Sequence, residues 1–156
     1  MNVRPLAGGD REWAAARLRD LWGDIVVSRG RVLDATELPG FVAEEDGQPA
    51  GLLTYRIDGN GCEVVTIDAF PQGSGAGTAL LDAVAEAARA AGCRRVWLIT
   101  TNDNLRALRF YQRRGFRLAA LHRDALDRSR ELKPSIPDVG LDGIPLRDEL
   151  ELERPV

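Results

Sequence analysis

The segment Gln-Gly-Ser-Gly-Ala-Gly at residues 72–77 joins an apolar, strand-like run at 62–70 to an alanine-rich helical pattern at 78–91. The three glycines carry no Cβ, so the backbone can turn sharply there and approach a ligand closely. Backbone N–H groups ahead of a helix N-terminus bind phosphate or pyrophosphate well. The sequence therefore predicts a strand–loop–helix unit that binds an anion, while a glycine-rich corner without a ligand stays open as the alternative.

Two common phosphate-binding motifs do not fit this loop. A Walker A loop needs a lysine followed by Ser or Thr after the glycines, and none is present. The dinucleotide fingerprint needs Gly or Ala where Thr78 stands. It also needs an acidic residue near the end of the next strand, where Thr100, Thr101 and Asn102 stand instead. These departures argue against a nucleotide-dependent oxidoreductase, which stays a remote alternative.

Hydrophobic periodicity predicts the elements on both sides of the loop. Residues 25–38 are interpreted as a loop, and a short helical turn within this loop stays open. A helix–strand pair of this length predicts that 95–101 runs parallel to 62–70. Strands are predicted at residues 1–6, 41–45, 50–57, 62–70, 95–101, 116–122 and 146–152. Helices are predicted at 10–22, 78–91, 105–114 and 123–132. In the final strand, the alternation places Leu150 and Leu152 on the buried face and Glu149 and Glu151 on the exposed face.

Composition limits the class of protein. The 156 residues carry a net charge of −3, with 44% hydrophobic and 29% charged residues, which is typical of one globular domain. No apolar run is long enough to span a bilayer, no secretory signal is visible, and the mild acidity gives no basis for nucleic-acid binding. We therefore expect a cytoplasmic protein with no membrane and no nucleic-acid partner. Cys62 and Cys93 have no metal-binding spacing, so we expect buried thiols and no metal.

The net negative charge is confined to the C-terminal part of the chain. Residues 1–122 hold fifteen acidic and fifteen basic residues, whereas residues 123–156 hold nine acidic and six basic residues, a difference of −3. We therefore expect a single domain spanning residues 1–156, with a core at 1–122 and a C-terminal extension at 123–156.

Two motifs together resemble those of one family. The pattern Gln72-x-x-Gly75-x-Gly77 is similar to the acetyl-CoA signature of the GNAT superfamily of N-acetyltransferases. The stretch at 102–116, which contains Asn104 and Tyr111, resembles the second motif of that family in order and separation. The resemblance covers about three quarters of the chain. One departure is that Gln72-Gly73-Ser74 stands where the family usually carries an Arg-Gly pair, so backbone amides must hold more of the phosphate charge.

The resemblance implies a fold and a cosubstrate. The implied fold class is α/β, a single GNAT-like domain with a mixed, splayed β-sheet flanked by helices on both faces. Acetyl-CoA would lie in the cleft between the splayed strands at 62–70 and 95–101. Its pantetheine would pair with the backbone of the first of these strands, and its pyrophosphate would bind the loop amides. The implied cofactor-binding residues are Ile67, Asp68, Ala69, Gln72, Gly73, Ser74, Gly75, Ala76, Gly77, Thr78, Asn104, Ala107 and Tyr111.

Acetyl transfer to an amine requires a neutral amine, a polarised thioester and a protonated leaving thiolate. Tyr111 occupies the family position whose hydroxyl points at the CoA sulfur, so it is the candidate general acid. Glu63 lies where some members place a catalytic glutamate, so it is the candidate base. A water chain and His122, the only imidazole, are the alternatives. Asn104 is also a suitable helix N-cap.

The acceptor is less defined. The family resemblance places it at residues 21–38 and 123–145. The acidic extension hints at a cationic amine, with a solvated acidic face as the alternative. We expect a small-molecule or peptide amine acceptor, and a possible homodimer through the final strand. A non-catalytic acyl-CoA-binding or regulatory module on the same fold is the main alternative function.

Overall fold

The computed structural model describes all residues from Met1 to Val156. Its strands are β1 Asn2–Pro5, β2 Val26–Ser28, β3 Arg31–Leu33, β4 Gly40–Glu45, β5 Gln48–Asp58, β6 Gly61–Ala69, β7 Arg95–Thr101, β8 Arg117–His122 and β9 Glu149–Pro155. Its α-helices are α1 Arg11–Trp22, α2 Ala76–Ala90, α3 Leu105–Arg113 and α4 Ala125–Leu132. The chain forms two compact units. The first comprises Met1–Val26, Asp34–Val96 and Pro155–Val156, and the second comprises Val27–Leu33 and Trp97–Arg154.

The first unit contains an antiparallel meander in the spatial order β1-β4-β5-β6. This confirms the three consecutive antiparallel strands predicted from alternation and short turns. Helix α2 packs on one face of these strands with Leu80, Leu81 and Val84 fully buried. Gly51 allows the close approach, because a Cβ on it would lie 3.0 Å from the side chains of Ala76 and Leu80. The meander and α2 thus share one apolar core.

The second unit has the strand order β7-β9-β8, with α3 and α4 in the same unit. The Asn102 carboxamide ties the chain ahead of β9 to the end of β7. Its Oδ1 accepts from the backbone N–H groups of Arg147 and Asp148, both at 3.0 Å, and its Nδ2 donates to the Pro145 carbonyl at 2.8 Å. These three bonds fix where β9 begins.

Residues 25–38 contain the short helical turn that the sequence left open, but they also contain two strands in place of a loop. They form the short β2–β3 hairpin, followed by a 3₁₀ turn at Ala35–Glu37 that the Asp34 carboxylate caps at the Thr36 N–H. The hairpin turn is Arg29-Gly30, and both residues have positive φ. A turn of that conformation normally carries Asn-Gly or Asp-Gly, and each strand has only three residues, so neither the turn nor the alternation was recognisable in the sequence.

The final strand departs from its predicted alternation at Glu149. The strand begins at Glu149 rather than at 146, and Glu149 is only 2% exposed. Its carboxylate accepts from the Arg29 backbone N–H at 3.1 Å, a partner 120 residues away in the chain. Leu152 is fully buried as predicted. Since β9 lies between β7 and β8, its backbone edges are not available to pair with a second copy.

Candidate functional site

The glycine loop has the conformation that its glycines predicted. Gly73 and Gly75 have φ of +83° and +90°, a region that residues with a Cβ rarely adopt. Gly75 is the N-cap of α2, which begins at Ala76 rather than at Thr78, and the loop is largely exposed. The first turn of α2 contains no acidic residue. The helix therefore presents its N-terminal amides and the positive end of its dipole without a competing carboxylate, which suits an anionic ligand.

The loop follows directly from the end of β6. Ile67, Asp68 and Ala69 are half-buried and pair with Leu53, Leu52 and Gly51 of β5. The register shifts between the Thr54–Thr66 and Tyr55–Val64 pairs, so one extra residue, Val65, bulges from β6 just before this segment.

Trp22 and Asp68 form a contact that the sequence analysis missed. The indole Nε1 of Trp22, the last residue of α1, donates to the Asp68 Oδ2 at 2.7 Å. Burial raises the pKa of the Asp68 carboxyl above its usual value, against the opposing effects of this hydrogen bond and of the Arg17 charge. The Arg17 guanidinium lies over the Phe70 ring at 4.3 Å. No local sequence signal links α1 to the end of β6, since the two residues are 46 positions apart.

Glu63, the predicted base, lies near the start of β6 and is only 3% exposed. The Arg56 guanidinium is 3.7 Å from its Oε1. The carboxylate therefore has a cationic neighbour and little contact with bulk water. Its assignment as the base stays a prediction.

The second motif forms α3. The Asn104 Oδ1 accepts from the Ala107 backbone N–H at 3.1 Å, which confirms the predicted helix cap. The half-buried Tyr111 ring lies edge-on between Phe110 and Phe116, with ring centroids 5.5 and 5.7 Å away. This aromatic packing fixes the orientation of the ring. The roles of Asn104, Ala107 and Tyr111 toward a cofactor stay predictions.

The structure also shows the surroundings of the histidine and of the two cysteines. His122 Nε2 lies 3.2 Å from Glu151 Oε1. Cys62 and Cys93 are buried free thiols, as predicted, and burial is the main cause that raises the pKa of Cys62 to about 12. A thiol with that pKa stays protonated and is a poor nucleophile at neutral pH.

Two further features are absent from the structure. No three side chains among His, Cys, Asp and Glu are grouped in a way that would hold a metal ion. None of the helices has the length and apolar character needed to cross a bilayer.

A glycine loop at a strand-to-helix junction in an α/β fold, followed by a helix without an acidic residue in its first turn, is typical of proteins that bind an anionic ligand. Residues 10–116 match the model of the acetyltransferase (GNAT) family. The chain belongs to this family and is an acyltransferase, which confirms the predicted enzyme class. The oxidoreductase alternative is therefore dropped.

Several individual proteins are similar to the chain in sequence or in structure. The chain is 46% identical over 132 residues to the uncharacterized protein YdhI of Bacillus subtilis, covering 83% of this chain and 82% of that protein. It is similar in structure to a GNAT family acetyltransferase from Elizabethkingia anophelis with acetyl-CoA bound. The TM-score is 0.73 at 19% identity, and the match covers 99% of this chain and 97% of that chain. The ribosomal-protein-S18-alanine N-acetyltransferase from Escherichia coli gives a TM-score of 0.67 at 18% identity, over 99% and 93% of the two chains. These likenesses confirm the predicted α/β fold class with a mixed sheet and flanking helices.

Proposed function

We propose that the protein transfers an acetyl group from acetyl-CoA directly to a primary amine. The observation that carries this proposal is the loop at 72–77, where two glycines with positive φ lead into a helix whose first turn has no acidic residue. Membership of the acetyltransferase family supports the reaction class. The acetyl-CoA bound to the structural neighbour from Elizabethkingia anophelis supports the choice of cosubstrate.

The cosubstrate is proposed to use groups of both motifs. The pyrophosphate lies on the backbone amides of the loop, where a helix N-terminus offsets its charge. Pantetheine pairs with the backbone of the last part of β6, and the α3 N-terminus contacts the cosubstrate through Asn104 and Ala107. The proposed binding set is Ile67, Asp68, Ala69, Gln72, Gly73, Ser74, Gly75, Ala76, Gly77, Thr78, Asn104, Ala107 and Tyr111.

The chemistry is proposed to proceed without an acyl-enzyme. The neutral amine attacks the thioester carbonyl, the C–S bond breaks, and the Tyr111 hydroxyl protonates the leaving thiolate. The proton that the nitrogen loses as the amide forms restores the Tyr111 hydroxyl. The high pKa of the buried Cys62 thiol supports direct transfer, because a protonated thiol does not accept an acetyl group readily. Glu63 is the sequence candidate for the base. Because it is buried beside Arg56, a proton from the amine would have to reach it along the sheet face.

The acceptor is proposed to be a small-molecule or peptide amine, and the S18-alanine acetyltransferase among the structural neighbours supports a peptide amine as one possibility. A cytoplasmic location and a homodimer belong to the same proposal, although β9 itself is an interior strand and cannot form the dimer seam by strand pairing.

A turnover screen tests the proposed function. Purified protein is incubated with acetyl-CoA and a panel of spermidine, amino acids, kanamycin and peptides with free N-termini, and CoA release and acetylated product are both measured. The proposal expects product with at least one amine and a thermal shift with acetyl-CoA but not with NAD(P). Acetyl-CoA binding with no release of CoA from any amine would favour the non-catalytic module.

A further inference from the structure

One face of the β5–β6 pair carries a row of polar side chains. The register places Thr54 opposite Thr66, and Arg56 opposite Glu63, with Asp68 next in the row on the same face. The two threonine hydroxyls are hydrogen-bonded at 2.6 Å and are almost completely buried. The opposite face of the same strands, which includes Gly51, packs against α2. Buried polar side chains stabilise a fold less than apolar side chains at the same positions would. A row of five polar residues on one sheet face therefore points to a function.

Asp68 is the more exposed of the two carboxylates in the row, and Trp22 donates a hydrogen bond to one of its oxygens. Trp22 donates to Oδ2, which orients the carboxylate and leaves Oδ1 for another partner. The groups that face it are the Trp22 indole and the Arg17 charge from α1, while its cross-strand neighbour Leu52 is apolar. Burial raises its pKa more than these two groups lower it, so the carboxylate is a better proton acceptor than an exposed aspartate.

We propose that the Asp68 side chain binds the ammonium group of the acceptor and takes its proton. This rests on the proposed function, in which pantetheine runs along the backbone of residues 67–69 and so brings the thioester to this end of β6. An N–H bond of the ammonium breaks and the proton goes to Oδ1 of Asp68. The nitrogen lone pair then attacks the acetyl carbonyl carbon, the C–S bond breaks, and the thiolate takes a proton from Tyr111. The second proton that the nitrogen loses as the amide forms restores the Tyr111 hydroxyl. The acceptor class is a primary amine that is cationic at neutral pH.

The adjacent carboxylate is less suited to this step. Glu63 is 3% exposed and lies 3.7 Å from the Arg56 guanidinium, so its charge is already matched by a cation. An ammonium group would have to displace Arg56 and enter a closed position. Asp68 has no cation within salt-bridge distance, and only a neutral indole donates to it. The amine therefore meets Asp68 first.

The test compares Asp68→Asn, Glu63→Gln, Trp22→Phe and the exposed control Glu45→Gln. Each is assayed for acetyl-CoA affinity and for the pH dependence of kcat/KM with the panel amine (spermidine, glycine amide, kanamycin or a peptide) that turns over fastest. We expect Asp68→Asn to lower kcat/KM by roughly 10²–10³-fold at neutral pH while acetyl-CoA affinity stays close to that of the wild type. Trp22→Phe removes a donor that lowers the Asp68 pKa, so the acid limb of the profile moves to higher pH. A residue that only supports the fold would not move that limb.

Three results would overturn the inference. Asp68→Asn could turn over as fast as Glu45→Gln. It could lose acetyl-CoA binding in parallel with turnover, which would make Asp68 a part of the cofactor site only. Alternatively, Glu63→Gln could remove the acid limb while Asp68→Asn leaves it unchanged.

A measurement without turnover separates this inference from the proposed function. The indole N–H resonance of Trp22, assigned with Trp22→Phe, is followed by NMR as pH changes. We expect it to titrate with a midpoint above the usual range of aspartate, and to stop titrating in Asp68→Asn. A Trp22 indole N–H chemical shift that does not change with pH overturns the role of Asp68, even if the amine screen succeeds. A normal titration with no acetylated amine from any panel member overturns the proposed function, and this inference with it.

Discussion

The Arg4 guanidinium donates two parallel hydrogen bonds to the Asp10 carboxylate, from Nη1 to Oδ2 at 2.6 Å and from Nη2 to Oδ1 at 2.9 Å. The same carboxylate accepts from the Ala7 backbone N–H at 2.8 Å and from the Trp13 indole at 3.1 Å. Asp10 is buried, and these bonds hold the pKa of its carboxyl far below the usual range. They connect β1 to the start of α1, the helix that carries Trp22.

The first prediction concerns acid stability. An aspartate whose folded pKa is depressed stabilises the fold above its unfolded pKa of about 4, and this contribution is lost as pH falls through the folded pKa. We therefore expect Asp10→Asn to cost about 2 kcal/mol of unfolding free energy at pH 7. The difference from wild type should shrink below about pH 4. Urea unfolding at several pH values measures it, with the exposed Glu45→Gln as control. A difference independent of pH would contradict the role of the charge.

The second prediction concerns the contact between α2 and the meander. A Cβ at Gly51 would lie 3.0 Å from the Ala76 and Leu80 side chains and from the Asp68 carbonyl oxygen, so Gly51→Ala overpacks the core. We expect a loss of about 1–3 kcal/mol in urea unfolding. Gly9→Ala is the control, because nothing lies within 4 Å of its Cβ and its φ is ordinary. Equal stability of the two variants would show that α2 adjusts freely.

The third prediction separates backbone strain from ligand binding. Gly75 and Gly47 have φ of +90° and +76°, and each has open space where the Cβ of another residue would lie. Alanine at either position costs about 1–2 kcal/mol in stability, because the left-handed region is strained for a residue with a Cβ. Only Gly75→Ala moves the loop amides, so we expect it alone to weaken acetyl-CoA binding, by about tenfold or more in isothermal titration. Equal affinity in both variants would remove the loop from the binding site.

The fourth prediction concerns the thiols. Because Cys62 is buried with a pKa of about 12, the native protein should resist alkylation at pH 8, and unfolding should expose both cysteines. Cys62→Ala should retain kcat, and initial-rate plots with acetyl-CoA and amine should intersect, as a direct transfer requires. Parallel lines, or an acetyl group on Cys62 in mass spectrometry, would support an acyl-enzyme instead.

The sequence predicted what short-range patterns encode. Alternation and turn residues predicted the meander, glycines predicted the loop, and Asn104 predicted a cap that the Ala107 N–H now confirms. The two motifs predicted the family because their spacing reflects a shared ligand geometry.

Contacts between residues far apart in the chain could not be predicted from the sequence. Trp22 meets Asp68 across 46 positions, and Glu149 meets the Arg29 amide across 120. Neither pair has a periodicity or a spacing that marks it. The buried Asp103 is a third case, since its Oδ2 accepts from the Leu141 N–H at 2.9 Å, and a Cβ at Gly140 would collide with it. The hydrogen-bond partners of such residues can be identified only in the folded chain.

Direct acetyl transfer with Tyr111 as the acid is tested by comparing Tyr111→Phe with wild type, with Tyr55→Phe as control. Acetylated amine and free CoA are quantified by mass spectrometry in the same reactions, and acetyl-CoA affinity is measured in parallel. We expect equal amounts of both products from wild type. For Tyr111→Phe we expect a kcat lower by roughly 10²-fold with acetyl-CoA affinity nearly unchanged. CoA release without an acetylated amine in wild type, or an unchanged kcat in Tyr111→Phe, would contradict it.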